Sequence, residues 1–307
     1  MLYLEEILLR VVCVLVNVAF VTLIERKVLS LIQARVGPNK VGVVGMLQPA
    51  ADAVKLFSNR ITLLGPINKV FYFISPALSV ILIALFCHFS SSFFSARGSR
   101  LSVFFLLMLL SLNVYPLLGA GWGSNRKYAI LGGLRAAAQT ISYEIRLAFI
   151  VGAIILLWKS ASLSAGRLNL RLSGIMAPAL ILFLPWVISC TAELNRTPFD
   201  FAEGESELVS GFNIEYGSVK FAIIFIAEYG IIFILSLLTR YLFFVPNFRN
   251  HLMGRVLGVF FVFVIIWLRA TLPRFRYDLL ILVTWKTLLP ASLGMCQLVA
   301  GLLFSSV

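Results

Sequence analysis

The sequence predicts an all-α integral membrane protein: about eight transmembrane helices in a single polytopic domain spanning residues 1–307, with an amphipathic surface helix and an acidic loop on the inner side. Three observations predict it. Hydrophobic residues make up 60% of the 307 and charged residues 13%, where a soluble domain carries about 25% charged and 45–50% apolar residues. Mean hydropathy is +0.98, and apolar runs of the ~20 residues that cross a bilayer recur along the chain. The net charge of +13 sits mostly between those runs, where a multispanning protein places its Lys and Arg. A soluble enzyme, a disordered tail and a disulfide-stapled secreted module are excluded. A DNA-binding role for the positive charge is set aside.

The first span is expected at 2–24. It opens MLYLEEILLR, with Glu5 and Glu6 where a signal peptide would be positive. No small-x-small cleavage site follows Val11–Ile24, so it reads as a retained helix. Link 25–69 carries Glu25-Arg26-Lys27 and then QARVGPNK at 33–40, whose Gly-Pro-Asn is turn chemistry. Residues 47–61 follow a helical period. Leu47, Ala51, Val54, Phe57 and Ile61 form an apolar stripe, with Gln48, Asp52, Lys55 and Asn59 opposite. Such a helix lies on a membrane surface as a basic, amphipathic entrance for something lipid-like, or packs as a plain surface helix on its own bundle.

The second span, 70–94, is the clearest, since Val70 to Ala96 is 27 residues without Asp, Glu, Lys or Arg. The third, 101–121, lies in a 25-residue stretch of the same kind, Leu101 to Asn125. The fourth (129–158) and sixth (219–241) are weaker by hydropathy because Glu144, Arg135 and Arg146 fall in one and Glu228 in the other. The fifth, seventh and eighth are expected at 175–193, 254–270 and 285–305. No repeat of fixed period is visible. Lys and Arg number 15 on the odd-numbered links, with their flanks, against 9 on the other side. The odd links therefore face the cytoplasm-equivalent side and both termini face away.

Charge inside a bilayer is expensive, about 2.5–3.5 kcal/mol per residue at the centre on insertion scales, so Glu144 and Glu228 are expected to face the bundle interior or water. Seven of the thirteen acids, Glu193, Asp200, Glu203, Glu205, Glu207, Glu215 and Glu228, fall in 36 residues, with Arg196 and Lys220 as the only cations among them. Carboxylates crowded near low-dielectric surroundings raise one another's pKa, which a proton relay requires. A solvated acidic loop or a structural salt bridge satisfies the same spacing. Glu144 and Glu228 favour the relay because they continue the acids into the bilayer, where Tyr143 and Tyr229 extend the polar chain.

The four cysteines, Cys13, Cys87, Cys190 and Cys296, stand alone in apolar stretches, and the two histidines are His88 and His251. Neither an iron–sulfur cluster nor a bis-histidine haem is expected from these. The chain is therefore not expected to carry electrons itself.

Segments QARVGPNKVG (33–42), LQPAADAVKL (47–56), GWGSNRKYAILGGLRAAAQTISYE (121–144), ELNRTPFDFAEGESELVSGFNIEY (193–216) and PRFRYD (273–278) resemble membrane subunit 1 of respiratory complex I, the proton-pumping NADH:ubiquinone oxidoreductase, over the whole chain. Leu194 stands where a threonine is usual, and Arg126-Lys127 makes the third link more basic. Neither removes an ionisable residue that family uses. The resemblance implies a subunit in the mitochondrial inner membrane with odd-numbered links facing the matrix, forming a tunnel for ubiquinone. Arg26, Gln33, Arg35, Asp52, Arg135, Arg196 and Arg274 match quinone-path positions. Glu144, Glu193, Asp200, Glu203, Glu205, Glu207 and Glu228 match the acidic path that couples quinone reduction to proton translocation. Ubiquinone is then the substrate, and flavin and iron–sulfur clusters belong to partner subunits. The implied partners are the quinone-site subunits of the hydrophilic arm, the small and antiporter-like membrane subunits, and membrane lipid, with no nucleic acid and no metal bound by this chain. The alternatives are a stand-alone proton-coupled secondary transporter, whose inverted repeats and broken spans are not seen, a prenyl-lipid enzyme, whose Asp-rich motif is missing, and a hydrogenase membrane subunit.

Overall fold

The computed structural model describes residues 2–60, 67–93, 101–162, 176–202, 204, 208–209, 211–244 and 251–305. Helix α1 is Leu2–Ile32, α2 Gln48–Ser58, α3 Lys69–Phe93, α4 Ser102–Leu112, α5 Val114–Gly123 and α6 Lys127–Trp158. Then follow α7 Met176–Glu193, α8 Ser218–Thr239, α9 His251–Thr271, α10 Tyr277–Val283 and α11 Leu289–Ser305. No strand occurs among the described residues. Five helical stretches there are long and apolar enough to cross a membrane: Lys69–Phe86, Ser102–Gly123, Lys127–Trp158, Ser218–Phe244 and Tyr277–Gly301. Helices α1, α7 and α9 stand where the other three expected spans fall.

Three boundaries differ from expectation, each for a local reason. Helix α1 runs to Ile32 rather than 24, because nothing in ERKVLSLI breaks it. It stops where Ala34 turns left-handed at φ 53°. There Arg35 N–H donates to the Ser30 carbonyl at 2.7 Å and Ala34 N–H to that of Leu31 at 3.1 Å, a Schellman arrangement that satisfies the last carbonyls. The third span is two helices. Pro116 has no N–H to offer the Leu112 carbonyl, and Asn113 N–H tightens onto Leu110 at 3.0 Å. The last span begins at Tyr277, eight residues early, and passes through a π turn at Thr284–Leu288 just before Pro290.

One apolar core ties the helices together. It contains Val18 of α1, Leu82 and Phe86 of α3, Leu109 and Leu110 of α4, and Leu147, Ile150 and Ile154 of α6, with Trp186, Leu235, Ile266 and Val299 from the later helices. Lipid competes for apolar contact, so association rests on close packing, which small residues permit. Gly121 and Gly133 bring α5 and α6 together, a Cβ on Gly133 lying 3.2 Å from the Gly121 Cα. Gly132 receives the segment before α8, and its Cβ would lie 2.9 Å from the Phe212 nitrogen. Because the obstacle is backbone, we expect Gly132→Ala to cost about 1–3 kcal/mol, read as a lower melting temperature of the solubilised assembly.

Helix α2 confirms the helical period but ends at Ser58, and Ile61 lies outside the described residues. Its apolar stripe is not packed on the bundle. Leu47, Val54 and Phe57 are exposed, and no residue of α2 is buried. Instead Asp52 bonds α1. The turn before it is tight: Gly45 sits at φ +75°, and a Cβ there would stand 2.1 Å from the Pro38 carbonyl oxygen.

Most of the described residues between 194 and 217 fold inward. Among them Phe201, Ala202, Leu208, Phe212 and Asn213 are buried. The start of this segment is held by Gln139 of α6, whose amide donates to the carbonyls of Ala192 and Phe199 at 2.8 Å each. A freely solvated loop does not describe these residues.

Candidate functional site: buried carboxylates and their cations

Two carboxylates and two guanidiniums meet in the bundle interior. Arg196, just beyond α7, places Nη1 3.5 Å from Glu25 Oε1 of α1 and Nη2 3.5 Å from Glu228 Oε2 of α8. Arg269 of α9 also bonds Glu25. Arg196 donates to Tyr229 Oη at 3.3 Å and lies 4.4 Å above that ring. Thr197 Oγ1 donates to the Arg269 carbonyl at 3.2 Å. Glu25 and Arg196 are 4% and 7% exposed. Two opposite pairs in such a place offset each other's desolvation.

Glu228 faces a second neighbour across a cavity. Glu193, Glu228, Ser75, Ser79, Asn113 and Asn195 line a space of about 30 Å³, room for about two waters. Glu193 is 1% exposed, and neither of its oxygens meets a hydrogen-bond partner in the protein. Buried carboxyl oxygens require such partners, and the cavity has room for water to serve as one. Tyr216 fixes one side, its hydroxyl 3.0 Å from Ser75 Oγ and its ring stacked on Tyr72 at 4.5 Å. Burial pushes the Tyr216 phenol up to about 12, so it stays protonated at neutral pH. Tyr72 Oη and Arg126 Nε donate to the Glu215 backbone and carboxylate at 2.9 and 2.8 Å.

Glu144 stands apart from that cavity. It lines an open groove of about 330 Å³ with Met108, Ser111 and Ile145 on the wall formed by α4 and α6. Of the acids expected in the relay, Glu193 and Glu228 thus line one cavity, and Glu144 lines a separate groove. Asp200 is turned elsewhere, bonding Arg274 at 2.9 Å beside the stacked Phe199 and Phe275 rings. Glu203, Glu205 and Glu207 lie outside the described residues.

The residues expected on the quinone path form no single cluster. Arg26 Nη1 bonds Asp52 Oδ2 at 2.6 Å, and Gln48 Nε2 holds the other Asp52 oxygen at 3.0 Å. Gln33 and Arg35 are exposed just past α1. The guanidinium of Arg135 lies 5.5 Å above the Tyr277 ring, near the Asp200–Arg274 pair. Arg196 belongs to the interior network. Sequence reasoning missed Glu25 and Arg269 as site residues, although one signal was available. Both sit at the inner ends of their spans, level with Arg196, so topology alone puts them in reach of one another.

Fold and site together define a helical membrane protein with a network of ionisable groups buried in its interior. The family model described as NADH dehydrogenase matches residues 5–300. The NADH-ubiquinone oxidoreductase chain 1 of Aedes aegypti is 48% identical over 287 residues, covering 94% of this chain and 91% of the relative. Those of Heterololigo bleekeri and Gallus gallus are 46% and 43% identical, each covering 92% of this chain and 91% and 89% of theirs. The chain belongs to the NADH dehydrogenase family of membrane subunits, the family its sequence segments resemble. Among the described residues no group of three or more His, Cys, Asp or Glu is placed to hold a metal ion.

Proposed function

We propose that this chain is the eight-span subunit of mitochondrial complex I that admits ubiquinone from the inner membrane and begins the acidic path coupling its reduction to proton translocation, with its odd-numbered links facing the matrix. Family membership supports the assembly, and the Lys and Arg bias supports the orientation. One observation carries the coupling role: Glu193 and Glu228, from different helices, line one small and largely apolar cavity that also holds Ser75, Ser79, Asn113 and Asn195, and Arg196 ties Glu228 to Glu25.

In this reading the quinone tail enters along the joint of α1 and α2, past Arg26, Gln33, Arg35 and Asp52. The path continues by Arg135, Arg274 and Arg196. The head is reduced by electrons from a cluster in a partner subunit of the hydrophilic arm, and forming quinol takes up two protons with two electrons. Glu203, Glu205, Glu207 and Asp200 answer that demand near the head. Glu228, Glu193 and Glu144 then carry the change in charge towards the antiporter-like subunits.

The test is mild-detergent extraction of the native membrane, followed by identification of what co-migrates with the chain. Flavin, iron–sulfur signals and quinone-dependent NADH oxidation in one large assembly support the reading. A chain that runs alone and moves protons in liposomes by itself overturns it in favour of a stand-alone transporter. The entrance has its own check. Arg26–Asp52 is an exposed pair, so Asp52→Asn is expected to change stability by no more than about 1 kcal/mol while raising the KM for short-chain quinone several-fold. An unchanged KM removes α2 from the path.

A further inference from the structure

Lys220 is a buried cation with no part in the mechanism above. It is the third residue of α8 and 7% exposed. Its Nζ lies 3.4 Å from the centre of the Phe73 ring and 3.8 Å from that of Tyr72. It meets no hydrogen-bond acceptor among the described residues. Ring faces attract an ammonium, but they are poor substitutes for the three oxygen acceptors it can use. The nearest acid in sequence, Glu215, is withheld, since its carboxylate bonds Arg126 at 2.8 Å. The first turn of a helix is also the end at which the helix dipole disfavours a cation. A charge kept in so costly a place within a membrane protein is by default a functional one.

Its surroundings say what it acts on. Tyr216 stacks on Tyr72 with ring centres 4.5 Å apart, and its hydroxyl lies 3.0 Å from Ser75 Oγ and 3.4 Å from the Ala120 carbonyl. Ser75 and Ala120 line the cavity that Glu193 and Glu228 share. Phe212 and Ile224 line it too, and they belong with Tyr72, Tyr216 and Ala120 to one apolar cluster. On its other side Tyr72 Oη donates to the Glu215 carbonyl at 2.9 Å, and Arg126, bonded to the same Glu215, has a side chain 49% exposed. A row of contacts thus runs from the exposed link before α6 to the cavity, through Arg126, Glu215, Tyr72, Tyr216 and Ser75. Lys220 sits on its middle member. On both helices the cavity begins one turn further on, at Ser75 after Tyr72 and at Ile224 after Lys220, about 5 Å along the axis.

We propose that Lys220 is the electrostatic stopper of this cavity. With Tyr72 and Tyr216 it closes the end nearest the 122–126 link, so that protons reach Glu193 and Glu228 along the coupled path and not directly from the water outside. The proposal rests on the relay reading given above. The stacked rings set apolar surface across the passage. The ammonium adds a positive charge in low-dielectric surroundings, where it repels an approaching hydronium far more strongly than it would in water. A fixed cation at a constriction is a known means of excluding protons from a pore. Arg126 contributes less, because it is exposed, screened by salt and paired with Glu215.

The experiment uses the whole assembly in liposomes and follows two quantities. One is the decay of an imposed pH gradient without NADH or quinone, the other the protons moved per quinol formed. Lys220→Met keeps an unbranched stem against the rings and removes the charge. Its protein-dependent decay is expected to be about tenfold faster, the effect on hydronium of a unit charge ~10 Å away at an effective dielectric constant of ~20, and fewer protons are moved per quinol. Lys220→Arg keeps both the charge and the ring contact and should stay close to the parent. Parental decay and stoichiometry in Lys220→Met overturn the proposal. So does a Lys220→Arg assembly that leaks as fast as Lys220→Met, since packing rather than charge would then be at work. If Lys220→Met fails to assemble, Lys220→Gln is read in the same way. Combining Lys220→Met with Glu193→Gln locates the leak. It should disappear with the cavity acid, and a leak that persists overturns the proposal. Glu193→Gln alone keeps the two ideas apart. Full pumping in that variant sinks the relay itself, whereas impaired pumping with parental decay in Lys220→Met sinks only the stopper.

Discussion

Replacing Arg196 with alanine is expected to produce the largest loss of stability available from a single change in this protein. The guanidinium is the shared cation of Glu25 and Glu228 and a donor to Tyr229. Removing one partner from a buried ion pair costs about 3–5 kcal/mol, because the remaining charge is left uncompensated. Here Arg269 still serves Glu25, so the pairing lost outright is the one with Glu228, which lines the cavity shared with Glu193. Arg196→Ala should therefore lower both the melting temperature of the solubilised assembly and its quinone reductase activity. Arg196→Lys keeps the charge but not the forked geometry that spans two acids, and it should recover stability only partly. A melting temperature within one degree of the parent for Arg196→Ala would show that the network is not holding α1, α8 and the segment after α7 together.

The second large effect is functional and leaves the fold intact. Glu193→Gln preserves shape and hydrogen-bonding capacity in a site where neither carboxyl oxygen has a protein partner. The neutral amide is easier to bury than a carboxylate, so assembly and melting temperature should hold or rise slightly. Proton translocation per quinol should fall at least ~10-fold if a general proton carrier of ordinary efficiency has been removed. The measurement is the ratio of protons moved to quinol formed in liposomes. Unchanged stoichiometry in Glu193→Gln would remove this residue from the path, whatever its effect on turnover.

Much of the helical architecture was legible in sequence because hydropathy reports length and apolarity directly. The second span needed nothing more than 27 residues without an acid or base. What hydropathy does not report is where a helix pauses. The break at Asn113 and the π turn before Pro290 come from single missing N–H groups, which an apolar average over ~20 residues smooths away. The acids were found because they crowd, but crowding does not assign partners. Asp200 and Glu193 read alike in sequence, seven residues apart. In the fold one is neutralised by Arg274 and the other faces a cavity, because the chain after Glu193 leaves the helix and turns its side chains to new neighbours. Glu25 and Arg269 went unselected for the opposite reason. Neither belongs to a crowd of like charges: Glu25 stands beside Arg26-Lys27 at the end of one apolar run, Arg269 closes another, and 244 residues separate them.

Helix α2 carries a consequence of a different kind. It buries no residue against the rest of the chain and turns Val54 and Phe57 outward, while Asp52 is fastened to Arg26. In the proposed reading acyl chains complete this stripe rather than the chain's own helices, and part of the folding free energy of this region is then a partition coefficient. Chain length, unsaturation and head group of the surrounding lipid then act on α2 as a solvent acts on a solute. Exchanging the native lipid for a short-chain detergent changes the reference phase, and α2 should loosen while the interior network is still intact.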